Sequence, residues 1–281
     1  MLHKAFHFFL FTSLFVILIA VGMVWQTASQ LNIKHLNNWY YFFVLGGSAA
    51  SYNIHWYLTK NNDPVTNNSS RIQWTIRYKH ILLFFAITGL LIAGVACWFL
   101  RNNWLYLGIS IIIASLYTAP KIPGKISEGL KKIAISKTIY LSLAWTYITT
   151  FLPLIISGSE FSHPANITFI TYRFFLLYSN CILFDYKDRE EDIKNGIRSL
   201  ITCFSEKSNI RLFYFAVIAA LVNAFLFAYY NNSLINGFFL SIPLILLIWL
   251  LPKFKAGHND YLYYFVLDGL MAFSLVFTSW L

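Results

Sequence analysis

Three aspartates, Asp185, Asp188 and Asp192, form the part of this chain best suited to metal chemistry. They follow a long apolar run, and positions 185 to 192 hold five of the chain's 11 acidic residues. If a helix continues through them, their i, i+3, i+7 spacing places the carboxylates within about 60° on one face. Because the three charges repel one another, a cation is expected between them, and Mg²⁺ suits such hard oxygen ligands. The alternative is a solvated charged loop neutralised by Lys187 and Arg189.

The composition predicts an integral membrane protein. Hydrophobic residues make up 58% of the chain, aromatic residues 19% and charged residues only 11%, which is far from the composition of a soluble domain. The net charge of +10 does not point to nucleic acid, because the basic residues lie in short loops between apolar runs. Membrane topology and contact with anionic lipid or phosphate explain them better, so the lipid bilayer is the expected partner.

Nine apolar stretches are candidates for membrane-spanning helices, which need about 20 residues each. An all-helical bundle follows, because open sheets cannot satisfy their backbone groups in lipid. We therefore predict an all-α integral membrane protein, a nine-helix bundle in a single domain over residues 1–281. The predicted spans are 7–28, 38–58, 79–100, 104–119, 134–157, 166–185, 210–230, 233–251 and 260–280.

The basic residues predict the orientation of the spans. With the N-terminus inside, all but three of the 21 basic residues lie on the inner side, the exceptions being Lys34, Arg101 and Arg173. This asymmetry places the N-terminus in the cytoplasm, the C-terminus outside and the acidic cluster at the cytoplasmic mouth. We expect a bacterial plasma-membrane protein. Arg173 precedes Asp185 by roughly 18 Å of helix and is expected to snorkel at the opposite interface.

The topology and the acidic cluster together resemble the UbiA superfamily of intramembrane prenyltransferases. The resemblance covers essentially the whole chain, including nine spans and a long polar loop after the second. The pattern Asp-x-x-Asp-x-x-x-Asp at positions 185–192, followed by Gly196 and Arg198, is similar to the family's second aspartate-rich motif. The resemblance implies that Asp185, Asp188 and Asp192 bind Mg²⁺ and that Arg198 contacts the substrate.

A second match lies after the fourth span, where Tyr117 and Lys121 resemble the family's Tyr-x-x-x-Lys element. The resemblance implies that both side chains approach the diphosphate. A lysine there neutralises the departing phosphate charge, and a phenol donates a hydrogen bond to it. Both are therefore predicted catalytic residues. The alternative is an interfacial tyrosine followed by a lysine of the positive inner face.

The family's first aspartate-rich motif is degraded in this chain. Asn53 remains at the end of the second span, but the positions of the three acids hold Ile54, Tyr57 and Asn61. Arg71 matches the basic residue that usually follows the motif. The resemblance thus implies substrate-binding roles for Asn53 and Arg71, whereas the loss of the acids indicates altered chemistry or none.

Two further polar residues lie within predicted spans. Asn180 precedes the acidic cluster by five residues and is predicted to line the substrate pocket. Asp268 is the only acid deep in a span, and an ionisable group at that depth is a functional hypothesis by default. The alternative for Asp268 is a protonated side chain, or one hydrogen-bonded to another helix.

The function favoured by the resemblance is Mg²⁺-dependent transfer of an isoprenyl group from an isoprenyl diphosphate to an apolar or aromatic acceptor. The reaction is expected in a central intramembrane cavity open to the cytoplasm. A non-catalytic protein of the same fold that binds an isoprenoid lipid is the alternative, motivated by the degraded first motif. A small transporter with Asp268 as its coupling residue is a third hypothesis.

Overall fold

The computed structural model describes residues 2–59, 69–118, 137–194, 199–256 and 259–278. Throughout these ranges the regular secondary structure is helical, as the apolar composition predicts. The helices are α1 (Leu2–Phe11), α2 (Leu14–Gln30), α3 (Asn38–Tyr57), α4 (Ser70–Arg77), α5 (Lys79–Phe99), α6 (Trp104–Thr118), α7 (Lys137–Ile156), α8 (Pro164–Lys194), α9 (Leu200–Cys203), α10 (Glu206–Tyr230), α11 (Leu234–Ala256) and α12 (Leu262–Thr278).

Over the residues that the structure describes, all nine predicted segments are mainly helical, but the count of nine membrane spans is not confirmed. Among the described residues, five helices are long and apolar enough to cross a membrane, namely α5, α7, α10, α11 and the Pro164–Glu190 part of α8. The bent pair α1–α2 makes a sixth if it is one span. In the described part of the chain, α6 has only 15 residues and α12 is also short. At 20 residues α3 is long enough to cross a membrane, but it includes asparagine, serine and histidine, which lower its hydropathy.

The chain divides into two compact units, here called the first and second unit. The first unit comprises Met1–Val21 and Asn37–Lys131, and the second comprises Gly22–Leu36 and Lys132–Leu281. Each is described by itself below, over the residues that the structure covers. The single domain with a central cavity stays a prediction.

In the first unit, α3 and α5 pack with their backbones in contact. A methyl group added at Gly46 would lie 2.6 Å from the backbone N of Ala93, and one added at Gly89 would lie 2.7 Å from the backbone N of Ala50. Gly46 and Ala50, like Gly89 and Ala93, are four residues apart. Small residues at this spacing let membrane helices approach closely, because no side chain separates the two backbones.

The first unit also contains a sharp bend of the chain, at Ser13 between α1 and α2. Ser13 lies between the two helices with a φ of 62°, in the left-handed region that ends a helix. The axes of the helical segments before and after it differ by 56°. The Ser13 Oγ accepts a hydrogen bond of 3.0 Å from Nη2 of the buried Arg71, so α4 stabilises the bend.

In the second unit, α8 is the central helix. It contacts α7, α9, α10, α11 and the helical segment Asp268–Met271. The core residues that α8 contributes are mainly large apolar or aromatic side chains, and they pack against α10 and α11. They include Phe169, Tyr172, Leu176, Ile182 and Leu183. This packing holds the carboxyl-terminal half of α8, where the aspartates lie.

A π-helical turn at Tyr147–Phe151 interrupts α7. Pro153 follows it, and because proline has no N–H it cannot donate to the carbonyl of Thr149 four residues earlier. The hydroxyl of Thr27 on α2 donates to that carbonyl instead, over 2.8 Å. The irregular turn is therefore satisfied by a side chain from a neighbouring helix of the same unit.

Candidate functional site

The aspartate cluster lies on α8, which continues as a helix through Lys194 and so keeps the three carboxylates on one face. Asp185 and Asp192 are buried, with 4% and 7% of their surface exposed. Asp188 lies between them along the helix, and 42% of its side chain is exposed. One carboxylate of the cluster is thus open to solvent, and two are shielded from it.

The first turn of α7 supplies two polar partners for this cluster. Thr138 Oγ1 donates a hydrogen bond of 2.6 Å to Oδ2 of Asp185. Lys137 Nζ lies 3.1 Å from Oδ2 of Asp188 and also interacts electrostatically with Asp185 and Asp192. The Lys137 ammonium therefore lies beside the three carboxylates, where its positive charge offsets part of their mutual repulsion.

Asp192 lies near Ser199, which follows α8 and is itself 1% exposed. Burial raises the pKa of the Asp192 carboxyl above its usual range, because desolvation disfavours the charged form. The polar Ser199 side chain and the Lys137 charge offset this only in part. A cation at the cluster would stabilise the ionised form of Asp192.

The two cations within the acidic stretch have other partners. Lys187 Nζ lies 2.7 Å from Oδ1 of Asp260 and 3.7 Å from the ring centre of Tyr264. Arg189 Nη1 lies 3.6 Å from Oε2 of Glu206. The alternative of a charged loop neutralised by Lys187 and Arg189 is therefore wrong, because the stretch is helical and both cations pair elsewhere.

Asn180 is the predicted substrate-binding residue of this unit. It is completely buried on α8, and its Nδ2 donates to the carbonyl of Leu176 over 2.9 Å. Its Oδ1 has no hydrogen-bond partner among the described residues. That oxygen is a buried acceptor able to receive a hydrogen bond from a ligand or a water molecule.

The predicted residues of the first unit lie on α3, α4 and α6. Asn53 is completely buried, and its Nδ2 donates to the carbonyl of Ala49 over 2.9 Å. Tyr117 stacks on His55 with ring centres 4.7 Å apart, so the structure brings the end of α6 to the end of α3. Arg71 is buried with its guanidinium 4.0 Å from the ring centre of Trp56.

The remaining predicted catalytic and substrate residues, Lys121 and Arg198, lie outside the described residues. Nor do the described ranges contain a group of three or more His, Cys, Asp or Glu side chains arranged to hold a metal ion. The metal assignment of Asp185, Asp188 and Asp192 therefore stays a prediction.

Arg173 does not snorkel, so that prediction is wrong. The side chain is completely buried, and its Nη2 donates a hydrogen bond of 3.0 Å to Oε1 of Gln26. Gln26 in turn donates to Ser274 Oγ over 2.8 Å, and the guanidinium lies 5.1 Å from the ring centre of Phe169. This network joins α2, α8 and α12 within the second unit.

Asp268 is also buried, and it begins the helical segment Asp268–Met271 that packs on α8. A surface depression of about 320 Å³ lies elsewhere in this unit, lined in part by His163, Asn166 and Asn231. It lies at the amino-terminal end of α8, roughly 30 Å along the helix from Asp185. The depression is therefore separate from the acidic cluster.

Comparison with known proteins agrees with this architecture. Residues 72–261 match the sequence profile of the UbiA prenyltransferase family. Because the match spans more than half of the chain, the protein belongs to the UbiA prenyltransferase family. The fold is similar to that of a UbiA homolog from Archaeoglobus fulgidus, with a TM-score of 0.64 at 14% identity, over 97% of this chain and 98% of that chain. A search of curated proteins found no match.

Sequence reasoning did not single out Lys137 or Thr138. Lys137 was counted only as one of the basic residues of the inner face. A usable signal was its place at the start of the fifth predicted span, in the same interfacial layer as the aspartates. Thr138 gave no signal of its own, because a lone threonine at a helix start is common.

Proposed function

We propose that this protein transfers an isoprenyl group from an isoprenyl diphosphate to a lipophilic acceptor, with Mg²⁺ bound at the aspartate face of α8. The observation that supports this most is the group formed by Asp185, Asp188 and Asp192 with Lys137 and Thr138 of α7. Family membership supports prenyl transfer as the reaction class. The group itself combines carboxylates for a metal with a cation for phosphate.

The donor set fits Mg²⁺ that binds together with a diphosphate. Mg²⁺ is usually held by one or two carboxylates plus phosphate oxygens and waters, and it needs no all-protein cage. Asp188 is the most accessible of the three carboxylates, with Asp185 and Asp192 beside it on the same face. When bound, Mg²⁺ supplies positive charge that stabilises the departing diphosphate.

The other residues are proposed to bind and orient the substrates. In the reaction the bond between the allylic carbon and the diphosphate oxygen breaks, and its electron pair leaves with the diphosphate. Lys121 and Tyr117 would stabilise that leaving group by charge and by hydrogen bonding. Asn53, Arg71, Asn180 and Arg198 would contact the substrates. The acceptor's π electrons then form the new carbon–carbon bond, and a proton leaves the acceptor.

The membrane orientation is part of the proposal. With the N-terminus in the cytoplasm and the C-terminus outside, the acidic cluster faces the cytoplasm, where water-soluble diphosphates are available. A bacterial plasma membrane is the proposed location.

Purified protein with Mg²⁺ and labelled isoprenyl diphosphates of several chain lengths tests the proposal. Diphosphate binding that depends on Mg²⁺, with release of inorganic pyrophosphate in the presence of an acceptor, is the expected result. Asp188→Asn should weaken the binding. Glu190→Gln is the matched control, because Glu190 lies on the same helix about 160° away from Asp188. Equal binding by Asp188→Asn and wild type would remove the metal assignment.

A non-catalytic isoprenoid-binding function is the second candidate. It is supported by the end of α3, where Ile54 and Tyr57 stand in place of two of the acids of the family's first motif. Asn53 is moreover bonded to its own helix through Nδ2. A protein that retains bound isoprenoid but releases no pyrophosphate with any acceptor would favour this second function.

A further inference from the structure

We propose that Lys137 is a diphosphate-binding residue, which neutralises the aspartate cluster before the substrate binds and contacts a phosphate oxygen afterwards. The proposal rests on the proposed function, because it assigns a further residue to the same site. Its basis is the position of the Lys137 ammonium, 3.1 Å from Asp188 and within electrostatic range of Asp185 and Asp192.

A buried contact fixes the backbone at Lys137. Thr138 follows it directly, is itself 1% exposed, and bonds to the buried Asp185 over 2.6 Å. Further along α7, Ser142 interacts with Cys181 of α8. These contacts hold the first turn of α7 against the acidic face of α8. The Lys137 side chain is therefore kept at the cluster even when its ion pair with Asp188 is broken.

Lys137 is also able to exchange partners. Its side chain is 43% exposed and that of Asp188 is 42% exposed, and exposed ion pairs are weak because water and salt screen them. A lysine ammonium has three N–H donors, so it can bond to a phosphate oxygen when a metal approaches Asp188.

The neighbouring cations of α8 are not equivalent to it. Lys187 is only 13% exposed in its ion pair with Asp260, and Arg189 pairs with Glu206. Leaving a buried pair costs far more than leaving an exposed one. Among the described cations of α7 and α8, Lys137 is the one that both lies beside the aspartates and remains accessible.

The degraded first motif increases the need for such a residue. The α3 sequence contains no aspartate or glutamate, so that helix offers no carboxylate for a metal. A diphosphate bound with fewer metal ions needs more of its charge neutralised by side chains. Lys137 supplies one such charge from the first turn of α7.

If Lys137 has both roles, removal of its charge should change the affinity for a divalent cation and the affinity for diphosphate in opposite directions. Without the ammonium, a divalent cation alone should bind the aspartates more tightly, because a competing positive charge is gone. Diphosphate should bind more weakly, because a charge-assisted hydrogen bond is lost. A purely structural lysine would instead lower both affinities together.

The test measures both affinities in detergent-solubilised full-length protein. Mn²⁺ binding followed by electron paramagnetic resonance reports on the cation site alone, and calorimetry with inorganic pyrophosphate at saturating Mg²⁺ reports on the diphosphate site. For Lys137→Met we expect Mn²⁺ to bind several-fold more tightly and pyrophosphate about tenfold more weakly, as for one lost charge-assisted bond. Lys137→Arg should recover most of the pyrophosphate affinity.

Arg189→Gln is the control, since it removes an exposed cation from α8 that is paired outside the cluster; both affinities should be unchanged. Wild-type pyrophosphate affinity in Lys137→Met, or a joint loss of both affinities, would overturn the role of Lys137 alone. Absence of Mg²⁺-dependent pyrophosphate binding in the wild type would overturn the proposed function and, with it, this role.

Discussion

Thr138 and Asp185 share a short buried hydrogen bond, 2.6 Å from Oγ1 to Oδ2, between the first turn of α7 and the amino-terminal end of the acidic face of α8. Both side chains are shielded from water. A buried carboxylate that loses such a donor keeps the cost of its desolvation without the compensating bond. This contact therefore joins the first turn of α7 to the acidic face and stabilises the Asp185 carboxylate.

Thr138→Val should destabilise the protein by about 1.5–3 kcal/mol, because it removes a hydrogen bond to a charged group while nearly preserving side-chain volume. Thr138→Ser, which keeps the hydroxyl, is the control and should remain within about 1 kcal/mol of wild type. Unfolding in mixed detergent micelles, followed by tryptophan fluorescence, measures both. Equal stability of the two variants would show that the hydroxyl contributes nothing.

Adjacent glycines of α3 should respond in opposite directions to alanine. A Cβ at Gly46 meets backbone atoms of α5 at 2.6 Å, whereas a Cβ at Gly47 has nothing within 4 Å. Gly46→Ala should lower stability by about 1–3 kcal/mol, because the helices must separate. Gly47→Ala should be neutral or raise stability by up to about 1 kcal/mol, because alanine favours helix. Thermal unfolding of the two variants side by side checks the sign.

Removing the hydrogen-bond acceptor of Arg173 should lower the free energy of unfolding more than removing the arginine itself. Gln26→Leu leaves a completely buried guanidinium without its Oε1 partner, and loss of a hydrogen bond to a buried charged group costs about 1.5–3 kcal/mol. Arg173→Met removes the buried charge as well and should cost less. The double variant should be more stable than Gln26→Leu alone. A double-mutant cycle of unfolding free energies measures this coupling, and additive losses would contradict it.

The Lys187–Asp260 pair should be the most costly ion pair to break among those described. Its side chains are 13% and 6% exposed, and loss of one partner from a buried pair costs about 3–5 kcal/mol. Asp260→Asn should therefore destabilise strongly. Glu206→Gln, which affects an exposed acid paired with Arg189 and Lys255, should cost about 1 kcal/mol or less. Similar unfolding midpoints for both variants would count against the burial argument.

Local patterns in the sequence were sufficient to predict the helical segments and the acidic face. Apolar runs indicate helices in a membrane protein, because in lipid every backbone group must be hydrogen-bonded within its own segment. The i, i+3, i+7 spacing of the aspartates likewise depends only on helix geometry. The packing of Gly46 and Ala50 was not predicted, because only the structure shows that α5 is their partner.

Partners distant along the chain could not be predicted. The charge of Arg173 alone predicts a position at the interface, whereas Gln26, 147 positions earlier, provides a buried acceptor. Lys137 and Asp188 are 51 positions apart, and no local pattern relates them. The count of nine spans is not confirmed for a different reason. Among the described helices, α3 is long enough to span a bilayer, but its polar residues keep its hydropathy too low.

The bend at Ser13 has a consequence for the fit between the protein and the bilayer. A straight helix over residues 2–30 would be roughly 43 Å long, well beyond a hydrocarbon thickness of about 30 Å. The 56° bend divides this length between α1 and the 17 residues of α2, which alone are roughly 26 Å long. Because Arg71 donates to Ser13 at the bend, this contact favours a path that is shorter along the axis of α2 than a straight helix would be, and a shorter path lessens the mismatch with a bilayer.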